Sequence, residues 1–178
     1  MNERPSYVEQ TWAPAWVLVL LWVSCLVGAV TLIYGTYVQG SLGHPFGQEP
    51  APTWLLGGSA ALCFFIPLAI TLIACRLEVE IRRDSMHVAF GPVRLIRRTL
   101  GYDEITSIEA VTYRPIRDFG GWGIRFRPGK TAWTVRGNRA VRLTLASGKD
   151  FYIGSRFPHR LAERIQVAKR LRESGNSP

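Results

Sequence analysis

The stretch from Trp54 to Arg76, WLLGGSAALCFFIPLAITLIACR, constrains the fold of this chain more than any other. Its first 22 residues carry no charge, and a segment of different periodicity begins directly after the arginine. As a helix rising about 1.5 Å per residue, those residues span about 33 Å, which is enough to cross the hydrocarbon core of a bilayer. We therefore predict a membrane helix over residues 54–76.

A second apolar run, from Trp16 to Val38, precedes it, and the polar residues 1–15 before that run are predicted to be loosely ordered. No basic cluster precedes the run, no A-x-A site follows it, and it is longer than a typical signal core, so we expect a retained helix. The predicted division is an N-terminal cytoplasmic segment (1–15), a first transmembrane helix (16–38), an extracytoplasmic link (39–53), a second transmembrane helix (54–76), a cytoplasmic domain (77–173) and a tail (174–178).

Charge is divided unevenly along the chain. Residues 76–178 hold 21 of the 22 Lys and Arg against 10 acidic residues, a net charge of +11, whereas residues 1–75 hold one basic and three acidic residues. The link 39–53 contains no Lys or Arg. By the positive-inside bias, both termini are expected in the cytoplasm. The basic part indicates an anionic partner, either lipid headgroups or nucleic acid.

Small residues in the two apolar runs indicate where the helices of an antiparallel hairpin would meet. Thr31 and Gly35 would lie at about the depth of Gly57 and Ala61, and small residues four apart let helix backbones approach closely. These four residues are the predicted transmembrane packing face. Neither run contains an ionisable residue, so the usual evidence for an ion or proton pathway is missing and a transporter is not expected.

Directly after Arg76 the periodicity changes from helix to strand, because Leu77, Val79 and Ile81 alternate with charged residues. The strand-like runs are residues 77–81, 86–90, 93–100, 106–114, 122–127, 131–136, 140–146 and 150–154. From Pro158 onward, apolar residues recur at helical spacing. The pattern predicts an α+β membrane protein: a two-helix hairpin, then a small antiparallel barrel or sandwich capped by a C-terminal helix.

Three local motifs carry a family resemblance: Tyr102-Asp103-Glu104-Ile105 between strands, Gly123-Ile124-Arg125, and the hairpin at Ser147-Gly148. With them, residues 77–172 resemble a bacterial pleckstrin-homology-like (PH-like) domain, a group in which a two-span hairpin often precedes the domain. The resemblance implies two nearly orthogonal antiparallel sheets capped by a C-terminal helix, at the bacterial inner membrane. The sequence departs from the pattern in two ways. Phe157 stands where a helix-capping Asp is usual. The sequence also has eight strand-like runs for the seven strand positions of the family, so residues 122–127 are predicted to be an extra strand or a bulge.

Residue types used in catalysis occur, but not in a catalytic pattern. Asp84, Ser85 and His87 are neighbours in a turn and strand with no sign of convergence in space, while His44 and His159 are too scattered for a metal site. The Pro128–Thr131 segment lacks the spacing of a phosphate loop. We predict no catalytic residue, metal, cofactor or small-molecule substrate, and hence a protein that is not an enzyme.

Two groups of basic and aromatic side chains are the candidates for binding. The first, predicted to bind an anionic surface, comprises Arg76, Arg82, Arg83, Arg94, Arg97 and Arg98. The second, predicted to form a loop rim for a partner, comprises Arg114, Arg117, Phe119, Trp122, Arg125, Arg127, Lys130 and Arg136. Residues 119–123 are predicted to be a flexible loop with an exposed aromatic. The alternative for each group is a solvated face, or a turn whose tryptophan packs inward.

These observations predict a non-enzymatic membrane scaffold or accessory subunit. Its PH-like domain is expected to bind anionic lipid headgroups, a protein partner or a second copy of the chain. The alternative is a membrane-tethered nucleic-acid-binding module, suggested by Phe119, Trp122 and Trp133 interleaved with basic residues, since bases can stack on aromatic rings. Because the predicted tether already supplies an anionic surface, lipid or protein binding is preferred and nucleic acid is not expected.

Overall fold

The computed structural model describes residues 5–47 and 51–175. Parts of the predicted N-terminal segment, link and tail, namely residues 1–4, 48–50 and 176–178, lie outside the described residues. The chain divides into a helical unit, Pro14–Leu72, and a sheet unit formed by the chain up to Ala13 and from Ile73 onward.

The helical unit consists of α1 (Ala15–Ser41) and α2 (Thr53–Ala74). In the described part of the chain, these are the two helices long and apolar enough to cross a membrane. Most of their large apolar side chains are exposed, for example Leu20, Ile33 and Phe65. Arg76, predicted at the end of the second helix, instead begins a strand.

The two helices contact each other through a different face from the predicted one. The Trp22 indole N–H donates to the Thr71 hydroxyl at 3.1 Å, and a Cβ on Gly28 would lie 3.6 Å from the Cys63 sulfur. Within the predicted face, Thr31 and Ala61 are exposed and a Cβ on Gly57 would meet nothing within 4 Å. Gly35 is buried, but the Phe46 ring covers it, and a Cβ added to Gly35 would lie 2.7 Å from that ring. These interhelical contacts therefore involve residues other than the predicted four.

The sheet unit contains nine strands in the described residues, arranged in two sheets. Sheet A has the order β1-β2-β3-β4, with β1 Tyr7–Trp12, β2 Arg76–Ile81, β3 Ser85–Phe90 and β4 Ile96–Gly101. Sheet B has the order β5-β8-β9-β7-β6, with β5 Ile105–Thr112, β6 Gly123–Arg127, β7 Lys130–Thr134, β8 Arg139–Leu145 and β9 Asp150–Gly154. A short helix, α3 (Pro115–Phe119), precedes β6, and α4 (Pro158–Gly175) follows β9.

Each of the eight runs predicted as strands contains a strand, because alternating side chains suit a pleated backbone with one face in the core, but residues 93–95 of the run 93–100 form a loop before β4. Residues 122–127 supply β6, which pairs with β7 as an added hairpin at the edge of sheet B. The prediction of purely antiparallel strands needs correction, because β7 and β9 run parallel. Of the predicted alternatives, a barrel or a sandwich, the described strands form two sheets and no closed barrel.

The N-terminal segment was predicted to be loosely ordered, yet residues 7–12 form β1. This strand pairs antiparallel with β2, from Tyr7 opposite Ile81 to Trp12 opposite Arg76. The Ala13 N–H then donates to the Cys75 carbonyl at 2.8 Å. The alternation within Tyr-Val-Glu-Gln-Thr-Trp is too polar to be recognised as a strand, and the strand forms because β2 offers an unpaired edge.

The core lies between the inner faces of the sheets and under α4. Leu77, Val88, Leu143 and Ile153 are fully buried there, and Leu161 and Ile165 contribute from the helix. The Tyr102 ring joins this core, and its hydroxyl donates to the Arg82 carbonyl at 2.7 Å. Burial raises the pKa of Tyr102 to about 12. Tyr102 therefore fixes the turn between β2 and β3 against the core.

Candidate functional site

One end of sheet A is where the chain passes into and out of the helical unit, and we call it the helix end. α1 begins three residues after Trp12, and β2 begins two residues after α2 ends. The β3–β4 loop, Gly91–Leu95, lies at the same end, because the Gly91 N–H donates to the Arg76 carbonyl at 2.6 Å. The register of the sheet thus places Trp12, Arg76 and this loop together.

In the Gly91–Leu95 loop, two apolar side chains face outward, while the one arginine folds back onto sheet A. Val93 is 53% exposed and Leu95 is 67% exposed, whereas Arg94 between them reaches back over the outer face of sheet A. Arg94 has φ of 52°, a left-handed conformation that costs a non-glycine residue about 1 kcal/mol or more. Ion pairs with Glu78 and with Glu80 (2.7 Å) accompany this conformation.

These contacts form a ladder of alternating charge along β2. Arg76 binds Glu78 at 2.8 Å, Arg94 bridges Glu78 and Glu80, and Arg82 binds Glu80 at 2.8 Å. Both carboxylates are buried. Burial raises the pKa of Glu80, but the Arg82 hydrogen bond and the Arg94 charge outweigh it, so the pKa is lowered overall. We call these five residues the ion ladder.

The six arginines predicted to bind an anionic surface are therefore not equivalent. Arg76, Arg82 and Arg94 already pair with carboxylates in the ion ladder. Arg98 is half-buried, with its guanidinium 4.7 Å from the centre of the Phe151 ring. Arg97 is exposed near the helix end, where Ile96 pairs with Phe90. Arg82 and the exposed Arg83 follow β2 at its other end, about 17 Å away for a strand rise of 3.3 Å per residue.

A basic cavity adjoins the helix end of β1. It has a volume of about 260 Å³ and is lined by Thr11, Arg136, Gly137, Asn138, Arg139, Ser155 and Arg156. Three of the seven lining residues are arginines and none is acidic. None of these three arginines takes part in the ion pairs found within residues 5–47 and 51–175. The cavity therefore has a concentrated positive charge.

A buried carboxylate holds the cavity walls together. Glu9 on β1 accepts hydrogen bonds from the Ser155 hydroxyl at 2.6 Å and from the Arg156 N–H at 2.9 Å. The Ser155 hydroxyl oxygen also accepts from the Phe157 N–H at 3.0 Å. The start of α4 thus gains a side-chain acceptor that Phe157 itself does not supply. Since Glu9 and Ser155 are 146 residues apart, sequence reasoning had no means of pairing them.

The predicted loop rim separates into several environments. Phe119 is only 4% exposed and packs against Tyr113 and Tyr152, so its placement in an exposed loop was wrong. Trp122 is 40% exposed, and its indole N–H donates to the Gly137 carbonyl at 2.8 Å, beside the basic cavity. Arg136 lines that cavity.

The remaining basic members of the rim are exposed. Arg114 and Arg117 lie at α3, whereas Arg125, Arg127 and Lys130 lie on the β6–β7 hairpin. Trp133, an aromatic considered for base stacking, is buried like Phe119. Of the three aromatics of the predicted nucleic-acid surface, Trp122 is therefore the one whose ring is exposed enough to stack on a base.

Ser85 and His87 lie on one face of β3 and contact each other. No pattern in the sequence indicates this contact. The Ser85 hydroxyl is 3.1 Å from His87 Nε2, and the Thr99 hydroxyl is 2.9 Å from Nδ1. Burial lowers the pKa of His87, and the charge of Arg82 lowers it further. In a catalytic triad, the third group is a carboxylate that stabilises the imidazolium, which the uncharged Thr99 does not provide. This arrangement fits a hydrogen-bonded surface trio.

Comparison with known proteins adds no family assignment. No protein-family model matches the chain, and no curated protein matches it. The resemblance to a PH-like domain therefore remains a prediction. The described residues of this structure form two sheets and a C-terminal helix.

The ion ladder had a signal in the sequence, and the basic cavity had none. Glu78 and Glu80 alternate within the predicted strand 77–81, and Arg76 and Arg82 continue the same spacing directly beyond its two ends, so in an extended chain all four side chains share a face. The cavity is instead assembled from Thr11, residues 136–139 and residues 155–156. No local pattern links segments so far apart in sequence.

Proposed function

We propose that this protein is a non-enzymatic, membrane-anchored scaffold or accessory subunit of the bacterial inner membrane. In this proposal α1 and α2 cross the bilayer as a hairpin. The sheet unit is a PH-like domain on the cytoplasmic face that binds anionic lipid through its helix end and leaves other surfaces for a protein partner. The pairing of β1 with β2 across the helical segment is the observation that carries the proposal.

This pairing constrains the topology of any membrane insertion. Since Trp12 lies opposite Arg76 in one sheet, the chain must leave and re-enter the sheet unit on one side of the membrane. Two helices, each long enough to span, satisfy that requirement by crossing once in each direction. Cleavage after α1 as a signal sequence would remove β1 from sheet A, which argues for retention. The charge distribution then favours the cytoplasm for the sheet unit.

The helix end has the composition of a membrane-contacting surface. Two residues separate Trp12 from Ala15 at the start of α1, and the three Cα–Cα steps reach at most about 11 Å, so the helix end must lie near the bilayer surface if α1 spans. Val93 and Leu95 are exposed there, and Arg97 is exposed beside them. Basic groups near an anionic leaflet contribute about 1 kcal/mol each, which supplements burial of the two apolar side chains.

Cysteine labelling in cells tests the topology. In a background with Cys25, Cys63 and Cys75 changed to Ala, the single replacements Ser6→Cys, His44→Cys and Lys149→Cys are treated with a membrane-impermeant maleimide. We expect labelling of His44→Cys in intact cells and of the other two only after permeabilisation. Labelling of Lys149→Cys in intact cells would place the sheet unit outside and overturn the proposed location.

A fluorescent probe on the full chain in lipid nanodiscs tests the surface. Leu95→Cys and the control Phe126→Cys, at a position of β6 that is at least as exposed, each carry an environment-sensitive dye. We expect nitroxide-labelled lipid to quench the dye at position 95 more than at 126, and the difference to grow when phosphatidylglycerol replaces part of the phosphatidylcholine. Equal quenching at both positions contradicts membrane contact. A difference that does not respond to lipid charge contradicts the anionic-lipid part and leaves protein binding.

A further inference from the structure

We propose that the basic cavity is a binding site for a phosphate group, carried either by a small soluble molecule or by a lipid headgroup. The cavity lies between the helix end of β1, the β7–β8 loop and the start of α4. This inference deepens the proposed function only if the phosphate belongs to a lipid. A soluble phosphate ligand would bind whether or not the helix end contacts the membrane.

The charge within the cavity selects an anion. Arg136, Arg139 and Arg156 line it, and the ion pairs of the described residues include none of the three. The neighbouring Glu9 does not line the cavity and is already bound by Ser155 and by the Arg156 N–H. The site therefore has an excess of positive charge after Glu9 is counted. The other arginine-rich cluster, the ion ladder, differs because its two glutamates occupy its arginines.

The donors present favour phosphate among anions. Each guanidinium has several N–H groups in a planar fork that matches two oxygens of a phosphate, and such charge-assisted pairs are stronger than neutral hydrogen bonds. Thr11 and Asn138 add neutral hydrogen-bonding groups to the lining, whereas the Ser155 hydroxyl already donates to Glu9. At about 30 Å³ per water in the liquid, a volume of about 260 Å³ holds eight or nine waters, which leaves room for a phosphate and a small attached group such as glycerol.

The cavity walls are held in place without the ligand. Glu9 fixes the Ser155–Arg156 segment to β1, and the Tyr113 N–H donates to the Asn138 carbonyl at 2.9 Å. The Trp122 indole N–H binds the adjacent Gly137 carbonyl. A pre-formed site spends little binding free energy on ordering loops, so a small phosphate ester is a reasonable probe.

Calorimetry on the full-length protein in phosphatidylcholine nanodiscs tests the soluble source, with glycerol phosphate as the probe and sodium chloride at equal ionic strength as the blank. Native mass spectrometry of protein from nanodiscs containing phosphatidylglycerol tests the lipid source by counting retained lipid. The cavity variant is Arg136→Gln with Arg139→Gln. The matched control is Lys149→Gln with Arg170→Gln, which removes two exposed positive charges outside the cavity.

We expect binding in at least one arm, about tenfold or more weaker in the cavity variant, and unchanged in the control. Binding of glycerol phosphate alone identifies a soluble ligand, and retention of phosphatidylglycerol alone identifies a lipid. If the cavity variant fails to fold by circular dichroism, the near-isosteric Asn138→Asp variant takes its place and should weaken binding by adding a negative charge. No binding in either arm, or equal loss in the cavity and control variants, overturns the proposal.

Discussion

Arg94 is the one non-glycine residue with positive φ among the residues that the structure describes. Its side chain bridges two buried glutamates, while the flanking Val93 and Leu95 face outward. Two effects therefore oppose each other at a single position: backbone strain disfavours this conformation and the ion pairs favour it. Because Glu78 is 2% exposed, leaving its charge poorly paired would cost more than the strain of one residue.

We expect Arg94→Ala to lower the free energy of unfolding by about 1–3 kcal/mol, less than for a fully orphaned buried charge, because Arg76 and Arg82 still pair with the glutamates. Arg94→Gly should also destabilise, since it relieves the strain but loses the same pairs. Arg83→Ala is the control and should change stability by less than about 0.5 kcal/mol. The measurement is urea unfolding of the full chain in detergent micelles. A more stable Arg94→Gly variant would mean that strain dominates.

We expect His87 to make the stability of sheet A depend on pH. Burial and the nearby Arg82 lower its pKa below the ordinary value of 6.5, so the unfolded chain takes up a proton before the folded one does. The stabilisation that His87 contributes in its uncharged form is complete above pH 6.5, and it is lost as the pH falls through the pKa that His87 has in the folded chain. We expect His87→Asn to reduce the loss of thermal stability between pH 7 and pH 5, with the exposed His159→Asn as the control. An unchanged pH dependence in His87→Asn would refute this assignment.

At the scale of elements, α1 and α2 show that close packing in a helix pair depends on rotation as well as depth. The contacts run through Trp22 and Thr71 and through Gly28 and Cys63. Gly35 and Gly57 share a predicted depth, yet Gly35 is covered by the Phe46 ring whereas an added Cβ on Gly57 meets nothing within 4 Å. Small residues therefore have unequal roles in the two helices.

We expect Gly35→Ala to be less stable than Gly57→Ala by about 1 kcal/mol or more, because the new methyl group would lie 2.7 Å from Phe46 and force the ring to move. Gly57→Ala should be neutral or slightly stabilising, since alanine is the better helix former. Unfolding of the full chain in mixed detergent micelles, followed by circular dichroism, measures the difference. Equal stability of the two variants would show that Phe46 does not pack on Gly35.

At the scale of the whole molecule, the sheet unit is discontinuous in sequence. Its first strand precedes the helical unit and its other strands follow it. A fragment that starts at Arg76 lacks β1, so it exposes the edge of β2 and leaves Ser155 and the Arg156 N–H without Glu9. Unpaired strand edges promote association between chains.

We expect a chain in which Asn-Gly replaces residues 14–74 to fold as a soluble monomer, because Ala13 and Cys75 are already hydrogen-bonded partners and Asn-Gly suits a two-residue hairpin. The fragment 76–178 is the matched control and should aggregate or unfold at lower temperature. Size-exclusion chromatography and thermal unfolding by circular dichroism compare them. Equal behaviour of the two chains would show that β1 contributes little to the sheet unit.

Local patterns in the sequence were sufficient for most elements of secondary structure. The apolar runs predicted both long helices, and the alternation after Arg76 predicted eight strands, because side-chain periods of 3.6 and 2 act between near neighbours. Four of the five ion-ladder residues, Arg76, Glu78, Glu80 and Arg82, also share a spacing of two, whereas Arg94 joins them only in the folded chain. The polar β1 was missed, because its partner strand lies 64 residues away across two helices.

The tertiary structure alone decided which distant segments meet. It paired β1 with β2, placed Glu9 against Ser155, covered Gly35 with Phe46, buried Phe119, and assembled the basic cavity from three separate parts of the chain. Such contacts depend on long-range packing and on the satisfaction of buried polar groups, which have no periodicity along the chain. The sequence by itself therefore determined the elements and the division of charge, whereas chain pairing in three dimensions determined where a ligand is expected to bind.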